Sequence, residues 1–214
     1  MAVRSQFLHK LVNQKAIKKT LTTFRVFVRL YFNLTYLRKD PYRLSRAEEV
    51  KKFQKAFQLL QGTQFNEVLE IGCGEGKTTA YLVPIAEKIT AIDISDIAIR
   101  RAKSQNYPNV LFKQADFFIE QLPETFDRIF CSEVLCYFEP EQLPSVVERI
   151  AQQLKPKGLL LLIHHRSIKD DSSGLDLKEI GAKTVHGLFI EHDQFVLQED
   201  STKPMYRISL LQRV

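Results

Sequence analysis

Cysteine is scarce. Cys73, Cys131 and Cys136 form an odd set of three in 214 residues, without the paired spacing of a metal site. That excludes a disulfide framework and a cysteine-held zinc, and fits a reduced, intracellular and cytoplasmic protein. Long apolar runs are missing as well. A bilayer crossing needs about 20 apolar residues in a row; Thr20 to Leu37 comes nearest, and Arg25 and Arg29 interrupt it. The first apolar stretch is too broken by lysine for a signal peptide. No internal repeat or low-complexity tract is present. Acid is almost absent from one part of the chain only. Residues 1–46 hold eleven Lys and Arg against Asp40 alone, a net +10, while the remaining residues hold 20 bases and 24 acids, a net −4.

The basic character therefore belongs to an N-terminal arm, residues 1–46, ahead of a domain spanning 47–214. Within the arm Ile17, Leu21, Phe24, Val28 and Tyr31 recur at helical spacing, with Lys18, Lys19, Arg25 and Arg29 elsewhere on the surface. Such a helix either packs on its own domain as a lid or lies on an anionic membrane surface, and its charge also suits nucleic acid. Ser45-Arg-Ala-Glu48 then reads as a capping box opening a helix through Leu60, with Gly62 ending it.

Residues 66–93 organise the rest. Val68, Leu69 and Ile71 form a short apolar run ending in Gly72, Gly74 and Gly76. A helix is expected from Thr78 to Lys88, then a strand through Ile89, Ala91 and Ile92 with Asp93 at its tip. A strand, a glycine turn, a helix and an acid-tipped strand make a nucleotide-binding βαβ unit. Glycines let backbone approach a ligand, and the terminal carboxylate suits a ribose diol. The spacing is G-x-G-x-G, whereas dinucleotide binding uses G-x-G-x-x-G. Gly76-Lys77-Thr78 matches the end of a phosphate-binding P-loop, but the glycine needed earlier falls at Ile71. Glu70 adds negative charge beside the turn, which disfavours a phosphate and suits a ligand with a ribose and a cation.

The stretch Glu70-Ile-Gly-Cys-Gly-Glu-Gly76 closely resembles motif I of the class I S-adenosylmethionine-dependent methyltransferases. Further strands are expected at Val110–Phe112, Phe126–Cys131 and Leu159–Ile163, with a helix capped by Ser95, another opened by Pro140 or Pro144, and one over Val185–Glu191. Gln194–Gln198 and Met205–Leu211 read as a closing antiparallel hairpin. The fold class is then α/β: a Rossmann-like, mainly parallel sheet with helices on both faces. Asp170 to Gly174 is a polar loop of the kind that borders a site.

Ligands of such sheets sit beyond the carboxyl ends of the strands. Glu70, Asp93, Asp116, Ser132, Glu133, His164 and His165 all fall on that edge. The resemblance implies S-adenosyl-L-methionine as cofactor, with Asp93 on the ribose, Asp116 on the adenine amino group, Phe117 and Ile94 on the ring faces, and Ser132 near the methyl group. It also implies that Gly72, Gly74 and Gly76 carry the methionine part. Glu70 belongs to the same cofactor set. A narrower likeness, carried by Phe126-Asp-Arg-Ile-Phe-Cys-Ser-Glu-Val-Leu-Cys-Tyr-Phe138 and the His164-His165 pair, is to nodulation protein S and its relatives. Those N-methylate an amino sugar. The implied acceptor is a small molecule, since the Asn/Asp-Pro-Pro-aromatic run of base-amino methyltransferases and the Pro-Cys of cytosine enzymes are absent. Glu133 or His165 would take the acceptor's proton, and alternation along a strand turns only one of His164 and His165 to the site. No metal is expected. The other readings of the same fold are an NAD-dependent oxidoreductase and a catalytically silent, membrane-attached binding protein.

Overall fold

Val68, Leu69 and Ile71 are fully or almost fully buried in β1 (Phe65–Ile71), an interior strand of a seven-stranded sheet. The structure, a computed structural model, describes residues 25–60, 64–120, 122–169 and 180–214. The other strands are β2 (Ala86–Asp93), β3 (Val110–Gln114), β4 (Phe126–Ser132), β5 (Leu154–His165), β6 (Phe195–Thr202) and β7 (Tyr206–Arg213). Their order is β3-β2-β1-β4-β5-β7-β6. β1 to β5 pair in parallel, and β7 inserts antiparallel between β5 and β6. The mainly parallel sheet and the antiparallel closing hairpin are as expected. The described helices are α1 (seen over residues 25–35), α2 (Ala47–Gln58), α3 (Thr79–Leu82), α4 (Asp96–Lys103), α5 (Leu143–Gln153) and α6 (Ala182–Ile190).

Successive residues of a strand point to opposite faces, and here both faces are covered. Leu69, Ile129 and Leu160 pack with α5 and α6 residues such as Val147 and Phe189. Val68, Phe130 and Leu161 pack with Phe53 and Phe57 of α2 and Ile99 of α4. Burial on both sides is why residues 129–131 of β4 and 160–163 of β5 read as continuous apolar runs, while β1 carries the buried Glu70 between Leu69 and Ile71.

Three local expectations are corrected. The helix after the glycine turn ends at Leu82, passes into a 3-10 turn over Val83–Ile85, and β2 begins already at Ala86. Pro84 is the cause: it lacks an N–H and its ring opposes a continued helix. Ser45 does not cap α2, whose N-cap is Arg46. The Asp40 carboxylate takes the Leu44 and Ser45 N–H groups at 2.9 and 3.2 Å, and the Ser45 hydroxyl accepts from Lys77 instead. On α1, Val28 faces the domain but Tyr31 is largely exposed, so the five-residue stripe is not one buried face. Ile17, Leu21, Phe24, Gly62 and the 170–174 loop lie outside the described residues. Ser95 does cap α4, accepting from the Ala98 N–H at 3.2 Å.

Candidate active site

The sheet order reverses between β1 and β4, and the ends of β1, β2, β4 and β5 open there into one cavity of about 680 Å³. That is the place where open α/β sheets take ligands, and the size suits a small-molecule site. Gly72, Gly74, Asp93, Ile94, Asp116, Phe117, Ser132, Glu133 and His165 all line it. Glu70 and Gly76 do not.

The glycine turn forms one wall. Gly72 and Gly74 have φ of 79° and 53°, a region that disfavours any side chain. A Cβ on Gly72 would strike Val134, and one on Gly74 would lie 2.6 Å from the Tyr36 hydroxyl oxygen. The loop is anchored by Asp93, whose two oxygens accept from the Gly74 N–H at 3.0 Å and the Ser95 N–H at 2.8 Å. Burial raises the Asp93 carboxyl to about 6, against the lowering effect of those two N–H groups. Each oxygen keeps a further lone pair for a ribose hydroxyl. The Ser132 hydroxyl is out of reach of solvent and has no hydrogen-bond partner among the described residues. A cradle that side chains would fill, a buried carboxylate and an unpaired hydroxyl together fit a ribose-containing ligand lying against backbone.

Gly76 points away from this wall, towards Phe112 and Ala102, and serves the packing of α4. Glu70 is fully buried behind the turn, where the Thr78 and Thr79 hydroxyls donate to its two oxygens at 2.5 Å each. It ties the end of β1 to the start of α3, so it does not act on a phosphate by charge as its position suggests. Burial raises its carboxyl to about 7, with the two hydroxyls opposing and Asp93 adding to the rise. A raised folded value means stability that is complete below about 4.5, the ordinary glutamate range, and lost as pH rises through about 7. Glu70→Gln is therefore expected to raise the unfolding free energy at pH 8 by on the order of 3 kcal/mol while changing little near pH 4.5. Denaturant titrations at both pH values check this, and an equal effect at the two would contradict it.

Opposite the glycine turn stand the acid and base groups. Glu133 leaves β4 at φ 55°, an uncommon conformation for a residue with a side chain, which points to a role worth its strain. Its Oε1 lies 2.6 Å from His165 Nδ1 and 3.3 Å from Lys52 Nζ, and its Oε2 accepts the His165 N–H at 3.1 Å. Lys52 is itself buried and lies 2.7 Å from Glu49, while His165 Nε2 is 3.6 Å from the same carboxylate. Burial would raise the Glu133 carboxyl, but the His165 hydrogen bond and the Lys52 charge outweigh it and hold it well below the usual range. His164 turns the other way, as alternation requires. Its Nε2 accepts the Leu135 N–H, and a chain continues through His186 and Ser209 to Asp200 at 3.2, 2.6 and 2.7 Å. That chain ties β5, α6 and the hairpin to the loop that follows Glu133.

Four cavity or cluster residues escaped the sequence reading. Both Asp116 oxygens are held by Arg25 of α1, at 2.6 and 2.7 Å, so an adenine amino group would have to share this carboxylate. Tyr36 stands over Gly74. Lys52 and Glu49 come from α2. Only Lys52 left a signal: it sits beside Phe53, with Ala56 and Phe57 a turn later, on the buried side of a helix where a charge needs partners.

Residues 68–158 match the family described as methyltransferase domain. Nodulation protein S of Azorhizobium caulinodans is 32% identical over 124 residues, 56% of this chain and 60% of that protein. The match thus spans less than two thirds of this curated relative's own length. Among solved structures, the N-methyltransferase NodS from Bradyrhizobium japonicum WM9 in complex with S-adenosyl-L-homocysteine aligns with a TM-score of 0.74 at 22% identity, over 86% of this chain and 97% of that one. Magnesium protoporphyrin IX methyltransferase from Synechocystis PCC 6803 with bound S-adenosylmethionine aligns with a TM-score of 0.64 at 19% identity, over 89% and 97%. The resemblance to methyltransferases, with nodulation protein S among the relatives, is borne out by these matches, and the solved structures show the shared Rossmann-like fold.

Proposed function

We propose that the chain is an S-adenosylmethionine-dependent methyltransferase that N-methylates a small amine, an amino sugar or a similar acceptor. The observation that carries this reading is one cavity with two chemically different walls. Gly72, Gly74 and Asp93 form the first, and the Glu133–His165 pair forms the second. S-adenosylmethionine supplies a methyl group already activated on a sulfonium, transferred in line to the acceptor. The protein's task is then alignment, exclusion of water and handling of one proton.

Asp93 would hold the ribose, and the turn at Gly72 and Gly74 would let the amino-acid part lie on backbone. Ile94 and Phe117 would flank the base. An amine must be neutral to attack. With its Nδ1–H donated to Glu133, His165 presents Nε2 as the proton acceptor, and the ionised Glu133 stabilises the imidazolium that results. Lys52 keeps Glu133 ionised and fixes it relative to α2. The described part of the arm closes over this machinery. Arg29 pairs with Asp96 at 2.6 Å, Asn33 Oδ1 accepts from Ser95 at 2.7 Å, and Lys77 pairs with Asp40 at 2.8 Å. We take α1 to be the lid.

Incubation with methyl-labelled S-adenosylmethionine and a panel of primary and secondary amines tests the reading. Label on acceptor nitrogen, with S-adenosylhomocysteine formed in equal amount, is expected. Label confined to oxygen or carbon acceptors would overturn the amine assignment. Cofactor binding also carries a pH signature. Ribose hydroxyls donate best to a charged carboxylate. Affinity for S-adenosylhomocysteine should therefore weaken as pH falls through about 6, where Asp93 gains its proton. Asp93→Asn should flatten this dependence while binding more weakly throughout. Calorimetry across that range reads both, and a pH-independent wild type would contradict the Asp93 role.

A further inference from the structure

We infer that α1 docks on an anionic membrane surface through the side it turns away from the domain. A helix has one inward arc and one outward arc, and both are apolar here. Inward, Val28, Phe32 and Tyr36 line the cavity. Outward, Val26, Phe27, Leu30, Tyr31, Leu34 and Leu37 are 52–64% exposed. At 100° per residue the five of these within α1, Val26, Phe27, Leu30, Tyr31 and Leu34, share a single arc, and Leu37 follows just past the helix end. Each turn of the described helix contributes one or two of them, with no charged residue between. An arc of large apolar groups this long on a soluble surface marks an interaction site.

Charge decides the occupant. The chain leaving α1 carries Arg38 and Lys39, both exposed, and Arg43 and Arg46 at the cavity rim. The sequence entering it carries Arg4, Lys10, Lys15, Lys18 and Lys19 with no acid. Asp40, the only acid of the first 46 residues, is neutralised by Lys77. A second copy laid face to face would bring +10 against +10. Nucleic acid would meet the charge but leave the apolar arc in water. A bilayer with anionic headgroups satisfies both, taking the arc into the acyl boundary and the bases at the headgroups. No described helix is long and apolar enough to cross a membrane, so the contact is peripheral. It is made by the outer side of the element whose inner side closes the cavity.

The test uses the full-length protein and a charge-neutral triple variant, Phe27→Ser, Leu30→Ser and Leu34→Ser. Co-sedimentation is measured with vesicles of phosphatidylcholine alone and with phosphatidylserine added. The wild type should bind only the anionic vesicles. The triple variant should lose at least about tenfold in partitioning, with S-adenosylhomocysteine affinity unchanged as the control for folding. The proposal is overturned by any of three results: no vesicle binding, binding equal in wild type and variant, or a concentration-dependent dimer in sedimentation that the variant abolishes. Duplex DNA binding that the variant leaves intact, without vesicle binding, would assign the arm to nucleic acid instead.

Discussion

Asp93→Ala is expected to weaken S-adenosylhomocysteine binding by a factor between about ten and about 20,000 in a folded protein. The carboxylate is positioned for two ribose hydroxyls, and hydrogen bonds to a charged group are worth roughly 1.5–3 kcal/mol each. Two of them set the upper end, since about 1.4 kcal/mol is tenfold. The same side chain also accepts the Gly74 and Ser95 N–H groups, so its loss loosens the glycine turn and the start of α4. Removing a buried carboxylate whose own ionisation is disfavoured offsets part of the structural cost. The fold should therefore survive while the site does not. Asp93→Asn keeps the size and one acceptor oxygen, and should fall between the two. Calorimetry on variants verified by thermal melting checks the series, and unchanged affinity for Asp93→Ala would remove the ribose from this position.

The second large effect is on turnover. His165→Ala should lower the rate on an amine acceptor by roughly 10²- to 10⁴-fold, the usual contribution of a positioned acid–base group. Cofactor affinity should stay within about twofold, because an interaction made only in the transition state leaves ground-state binding alone. Glu133→Gln should produce a similar loss by a different route: it removes the charge that stabilises the imidazolium and leaves Lys52 with Glu49 as its one carboxylate partner among the groups described here. Because Glu133 is held far below neutral pH, it stays ionised throughout the working range. A variant at His165 with wild-type turnover would make the histidine structural.

Much of this site was legible in the chain. β4 and β5 announce themselves because a strand buried on both faces needs an apolar run, and β1 because its apolar residues lead into the glycine turn. The turn at Gly72 and Gly74 is visible because φ of 79° and 53° leaves little choice but glycine. Two-residue alternation turns only one of His164 and His165 to the cavity, and His165, the one further out along the strand end, is the one that lines it. Other features depend on residues that meet only through the tertiary fold. Arg25 and Asp116 are 91 positions apart, and Lys52 and Glu133 are 81 apart. Nothing local to either partner specifies the other. The side to which Glu70 turns, towards Thr78 and Thr79, is likewise not specified by its place beside the turn. The arm's apolar stripe was misjudged for a related reason. Periodicity finds an apolar face but cannot say that the opposite one is apolar too and that both have something to cover.

The proposed occupant of the cavity is a ligand with a ribose and a sulfonium. Thermal melting of the full-length wild type with S-adenosylhomocysteine, S-adenosylmethionine and NAD, each titrated separately, tests that claim most directly. Saturable stabilisation by the first two and none by NAD is predicted. Stabilisation by NAD without any by S-adenosylhomocysteine would contradict it.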